Sequence, residues 1–200
     1  MNFFDRLKQY DIILASQSPR RRELMEAAGI PFRTMVRPTD EAFTNDMPPT
    51  DVVIHLCRKK ANCFRDELKR PEAIIITADT IVVHDGRIIN KPGGAEEAFA
   101  MLSTLSGSTH EVYTGVCIRH QENERVFYDH SLVTFRALKE EEIRYYIKHY
   151  QPFDKAGAYG IQEWIGYVGI TSIEGSYPNV MGMPVHKVYE YLNEMISNEI

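Results

Sequence analysis

Apolar positions along this chain fall either in short unbroken blocks or in longer stretches with a helical or alternating beat, and their order sets the expected elements. "YDIILAS" is a brief apolar block followed at once by turn and cap residues, which reads as a buried strand. Ser18 then stands as an N-cap and Pro19 at the first helical position; Leu24, Met25 and Ala28 give the apolar stripe and Gly29 the stop. "IPFRTMV" predicts a second strand and "RPTDEAFTNDMPPT" a polar loop. After Thr50, read as an N-cap, residues 51–69 place Val52, Val53, Leu56, Cys57, Cys63, Phe64 and Leu68 at broadly helical spacing, with Lys59 and Lys60 midway along the helix.

The pattern then turns to strands. Ile74, Ile75 and Ile76 predict a buried strand running into Asp79, and Asp85-Gly86 between "IVVH" and "RIIN" predicts a two-residue hairpin of type I′. "GAEEAFAMLSTLSG" is an amphipathic helix closed by Gly107, and "HEVYTGVCIRH" with "RVFYDHSLVTFRAL" alternates as two long antiparallel strands. "KEEEIRYYIKHY" reads as a helix, "DKAGAYGIQ" as a loop, "WIGYVGITSIEG" as a strand and "PVHKVYEYLNEMI" as a closing helix. With no linker, repeat or low-complexity segment, residues 1–200 are expected to form one α/β unit of mixed strand pairing, with room for two lobes.

Composition narrows the function. The net charge of −5 argues against nucleic-acid binding by bulk charge, so an anionic ligand must be met by a local basic cluster. Cys57, Cys63 and Cys117 are odd in number and lack CxxC spacing, which argues against a disulfide framework or structural zinc and points to a reducing cytoplasm. "MNFFDRLKQY" has no apolar core of signal-peptide length, and no run is long enough to enter a membrane.

Three groups of residues carry candidate chemistry. Ser16, Ser18, Arg20, Arg21 and Arg22 sit at a strand-to-helix junction, where free backbone N–H groups and guanidinium forks bind phosphate; the other reading is a solvated basic run. Cations in a first helical turn oppose the helix dipole, and Glu23 offsets at best one of them. Asp79-Thr80 interrupts a buried β run, either as a structural Asx turn or as a carboxylate acting on water or on Mg²⁺. Lys60, Lys91 and Lys155 are each ordinary surface lysines by themselves, or together a cage for a triphosphate. Trp164, Tyr159 and Tyr167 either stack a base or belong to the core, and His110 and His186 read as structural.

"LASQSPRRREL", "ADTIVV", "NKPGGAEEAFAMLSTLSGSTHEVYTGV", "DKAGAYGIQ" and "IEGSYPNVMGMPV" resemble, in order and spacing, the Maf family of nucleoside triphosphate pyrophosphatases, from Ile13 to the final helix. Only about the first ten residues fall outside the resemblance. It implies a mixed twisted sheet with flanking helices in two lobes around a central cleft, as in inosine triphosphate pyrophosphatase-like proteins, often homodimeric. It implies hydrolysis of a nucleoside triphosphate to the monophosphate and pyrophosphate with a divalent metal, Mg²⁺ or Mn²⁺. By motif, Asp79 corresponds to the proton acceptor, and Arg20, Thr80 and Gln162 to the base-choosing positions of the dTTP and UTP branch. Ser16, Arg21, Glu41, Lys60, Lys91 and Lys155 match other polar positions of the cleft, with Glu41 and Asp79 as the metal-side carboxylates. A branch acting on 7-methyl-GTP, which carries tryptophan in place of Arg20, and a nucleotide-binding regulator of septum formation without turnover are the alternatives. Gln17 and Met183 depart from the usual residues without touching this chemistry.

Overall fold

The computed structural model describes residues 2–44 and 46–197. The chain opens with α1 (Phe3–Leu7), β1 (Asp11–Leu14), α2 (Pro19–Ala27), β2 (Arg33–Thr34) and α3 (Pro49–Asn62). The long strand β3 (Ala73–His84) turns into β4 (Arg87–Ile89), and α4 (Ala95–Leu105) leads to β5 (Thr109–His120) and β6 (Asn123–Phe135). α5 (Glu140–Tyr150), α6 (Trp164–Gly169), β7 (Ile170–Glu174), α7 (Tyr177–Met181) and α8 (Val185–Ser197) complete it. The seven described strands form one mixed sheet in the order β2-β1-β3-β5-β6-β7, with β4 on β3 outside that path. β1 is parallel to both β2 and β3, whereas β4 and β7 are antiparallel to β3 and β6.

The chain divides into two compact units. The first is Met1–Asp79, Thr114–Asp129 and Gly182–Ile200; the second is Thr80–Tyr113 and His130–Met181.

In the first unit, β1 and the opening half of β3 are near-continuous apolar runs, as strands covered on both faces must be. Their register puts Ile13 opposite Ile75, and both pack with Phe64 and Leu68. α3 buries Val52, Val53, Leu56, Cys57 and Ala61, and the Thr77 hydroxyl donates to the Cys57 carbonyl at 2.7 Å, tying helix to strand. Cys57 and Cys117 are fully buried together with Ala61. α1 is integral here: it buries Phe3 and Leu7, Phe3 meets Tyr189 edge-to-face at 4.4 Å, and Arg6 donates to Asn193 Oδ1 at 2.9 Å.

In the second unit, Val82, Leu102, Leu105, Phe135, Tyr146, Tyr159 and Ile165 are among the residues of one buried cluster. Asp85 and Gly86 have φ of +49° and +71°, the left-handed pair that a type I′ turn requires, and His84 pairs with Arg87 across it. Gly107 ends α4 with φ of +70°.

Four expectations change. α3 starts at Pro49 behind Pro48, so Thr50 lies inside its first turn rather than capping it. The helix stops at Asn62, and Lys59 and Lys60 fall in its last turn; Phe64 and Leu68 reach the strand cluster from a separate segment ending in a 3₁₀ turn at Glu67–Lys69. "IPFRTMV" keeps only two strand residues, both exposed, at the sheet edge. Residues 164–169 are helical rather than extended, because a short apolar run does not separate a buried helix from a strand. There Gly166 lies so close to the Ile161 carbonyl that a Cβ would overlap it. No helix among the described residues is long and apolar enough to cross a membrane.

Candidate active site

Six of the sequence-predicted site residues belong to the first unit: Ser16, Arg20, Arg21, Glu41, Lys60 and Asp79. β3 brings Asp79 to a largely covered position, its side chain 14% exposed, where the fully buried run through Ala78 ends. The strand itself does not end there but continues to His84. Because Lys60 sits in the last turn of α3, its ammonium reaches Asp79 Oδ1 in a close ion pair and Glu41 Oε1 at 2.8 Å. Two carboxylates therefore share one cation that is itself only 16% exposed. Partial burial strengthens such pairing relative to water.

α2 supplies the opposite charge. Ser18 has the extended N-cap backbone, but its side chain makes no capping bond; its N–H instead donates to Ser16 Oγ at 3.2 Å. Arg21 Nη1 also donates to Ser16 Oγ, at 3.4 Å, and Arg21 Nε donates to the Gly182 carbonyl at 2.8 Å. Burial pulls the Arg21 guanidinium below its ordinary pKa; Asp79 and Glu41 oppose this and Arg20 adds to it. The first turn of α2 holds no acidic residue, so for Arg21 it is Asp79 and Glu41, from outside the helix, that favour the charged form against the dipole. Arg22 is a surface residue whose Nη1 donates to the Gln17 carbonyl at 3.4 Å.

Thr80, Lys91, Lys155 and Gln162 belong to the second unit. Thr80 follows Asp79 on β3, and Lys91 is exposed just past β4. Lys155 is 7% exposed, and its ammonium lies 2.8 Å from Asp154 Oδ1 and 3.1 Å from Glu163 Oε1. Gln162 Oε1 is buried with no hydrogen-bond partner among the described residues. A buried amide oxygen left unpaired costs its desolvation until a donor arrives.

Glu163, Tyr146 and the Gly182 carbonyl were not on the sequence-derived roster. Glu163 stood inside no motif with chemistry, and the carbonyl is invisible to any reading of side-chain types. The aromatic candidates part company. Tyr159 is core, its hydroxyl 2.7 Å from His110 Nε2; Trp164 packs edge-to-face on Tyr145 at 5.0 Å; Tyr167 is exposed.

Among the described residues no group of three or more His, Cys, Asp and Glu is placed to hold a metal ion. The donor set at hand is the carboxylate pair of Glu41 and Asp79. That fits Mg²⁺, a hard cation often held by one or two carboxylates and completed by water and substrate phosphate oxygens.

The first unit thus sets Arg21, at a strand-to-helix junction, within electrostatic reach of the carboxylates of Asp79 and Glu41, and the fold around it is a mixed α/β sheet with flanking helices. The profile of the Maf-like protein family matches residues 11–195. Curated relatives agree over nearly the whole chain. A Porphyromonas gingivalis protein named dTTP/UTP pyrophosphatase is 50% identical over 192 residues, covering 95% of this chain and 96% of its own. Proteins of the same name from Bacteroides thetaiotaomicron and Cytophaga hutchinsonii are 47% and 48% identical, covering 94% and 99% of this chain and 98% and 90% of their own. The chain belongs to the Maf family.

Proposed function

We propose that this protein is a nucleoside triphosphate pyrophosphatase that hydrolyses dTTP and UTP to the monophosphate and pyrophosphate. The observation that carries the chemistry is the shared ion pair of Asp79 and Glu41 on Lys60, with Arg21 beside them. A site for phosphate alone would need the cations but not two carboxylates, whose charge repels the ligand. The name those relatives carry supports the same reading.

In this scheme Arg21, Lys60, Lys91 and Lys155 neutralise the triphosphate, and Ser16 holds the Arg21 fork in place. Asp79 accepts a hydrogen bond from water, orients it toward the α-phosphorus and takes its proton as pyrophosphate leaves. Glu41 and Asp79 would hold the divalent cation, which when bound offsets phosphate charge and lowers the pKa of water.

Arg20, Thr80 and Gln162 face the base. The unpaired Gln162 oxygen favours thymine and uracil, whose N3–H is a donor; cytosine offers an acceptor at that atom. Sites that hydrogen-bond a substrate N–H reject analogues lacking it strongly. Three free cysteines accord with a reducing compartment, which we take to be the cytoplasm.

The test is pyrophosphate release over a panel of nucleotides with Mg²⁺ and with Mn²⁺. dTTP and UTP should be cleaved fastest, and Asp79→Asn should slow turnover by about 10²- to 10⁴-fold. Near-wild-type turnover in Asp79→Asn removes it from the mechanism. Faster cleavage of 7-methyl-GTP than of dTTP overturns the pyrimidine assignment.

A further inference from the structure

Glu163 stands at the N-cap of α6, a position that favours short side chains folded back onto the first turn. Its side chain makes no capping bond and goes elsewhere. One carboxylate oxygen, Oε1, lies 3.1 Å from the Lys155 ammonium. The other, Oε2, accepts a close hydrogen bond from the Tyr146 hydroxyl, which in turn accepts the Gly160 N–H at 3.0 Å. Tyr146 is completely buried in α5, so this hydroxyl is a fixed point. Gly160 completes the arrangement: a Cβ there would come within 3.0 Å of all three atoms of the Glu163 carboxyl group. Lys155 and Glu163 are the two ends of one nine-residue segment with Gly160 between them, and all three meet at this carboxylate.

The geometry points to Glu163 as a positioning residue that, braced by Tyr146, fixes the Lys155 ammonium and the segment carrying Gln162 before substrate arrives. This rests on the reading that Lys155 meets the triphosphate and Gln162 the base. A lysine carries large rotamer freedom, and its long stem costs affinity if it must be ordered during binding. Asp154, the other partner of Lys155, is largely exposed and on the adjacent residue, so it offers a weak restraint. Glu163 has a side chain 18% exposed and a second anchor on Tyr146, so it supplies the rigid one. Glu163 touches no reacting atom in this scheme; its effect passes through Lys155.

The test is steady-state pyrophosphate release from dTTP by wild type, Glu163→Gln, Lys155→Met and the double variant, with thermal unfolding measured in parallel. Glu163→Gln should raise KM about tenfold and change kcat less than about threefold, since uniform binding is lost rather than transition-state chemistry. Lys155→Met should raise KM at least as much, and adding Glu163→Gln to it should change KM less than about twofold. Tyr146→Phe, which leaves the carboxylate in place but unbraced, should raise KM by a smaller factor. A Glu163→Gln protein with wild-type KM overturns the proposal, as does a double variant whose KM rises by the product of the single effects. If Glu163→Gln does not fold, an unchanged KM in Tyr146→Phe overturns it. A wild-type protein that releases no pyrophosphate removes the underlying reading and this proposal with it.

Discussion

At the scale of single residues, the arginines of "SPRRR" do not share one environment. Arg21 is anchored by Gly182 and Ser16 and offset by Asp79 and Glu41, while Arg22 is a surface contact. The sequence exposed the electrostatic problem at this helix start. It could not expose the solution, because Glu41 and Asp79 lie 20 and 58 residues further on. His110 makes a residue-scale prediction of its own. Burial holds its pKa down at about 4, against 6.5 for the free side chain, with His84 adding a smaller push in the same direction. Between those values the unfolded chain binds a proton that the folded chain refuses, so stability rises with pH across that window. The contribution is complete above pH 6.5 and lost as pH falls toward 4, in total about 3 kcal/mol. Urea unfolding at a series of pH values should show this slope in the wild type, and His110→Gln should flatten it. Asp11, held at about 2 by its hydrogen bond to Arg33, and Glu142, held at about 2 by Arg136, lose their contributions in a lower window.

At the scale of elements, most of the architecture was legible. The parallel strands announced themselves as unbroken isoleucine blocks, and the hairpin at Asp85-Gly86 by its turn dipeptide. The failures share a cause: tertiary packing decided where periodicity was ambiguous. Phe64 and Leu68 kept a helical spacing but dock on the β1 and β3 cluster from outside α3. "WIGYVG" folds as a helix because two glycines allow it to lie against Ile161 and against Phe135 and Leu138. α3 and β5 approach each other closely at Gly115. A Cβ on Gly115 would overlap the backbone carbonyl of Val53, and backbone cannot swing aside as a side chain can. Gly115→Ala should therefore cost on the order of 1–3 kcal/mol of stability in chemical denaturation. Because α3 carries Lys60, pyrophosphate release should fall in the same variant.

At the scale of the whole molecule, each unit gathers segments far apart in the chain, and no local signal says which segments belong together. The three lysines that the sequence grouped come from both units. Lys60 sits in the first unit with both carboxylates, whereas Lys91 and Lys155 sit in the second. Net charge does not reveal this: with −5 overall, the positive charge of Arg21 and Lys60 is gathered locally beside carboxylates. The cysteines were legible as unpaired, but their inequality was not. Burial pushes the Cys57 thiol up to about 12 and Cys117 higher still, which silences both as nucleophiles. Cys63 is only half-buried, and its sulfur lies 3.5 Å from the Thr39 hydroxyl, two residues before Glu41. A disulfide-exchange reagent should therefore titrate one thiol in the native protein and three after unfolding. The chain comes with its own labelling point: a fluorophore on Cys63 would stand three residues from Lys60 and beside the Glu41 segment, ready to report nucleotide arrival without an engineered cysteine.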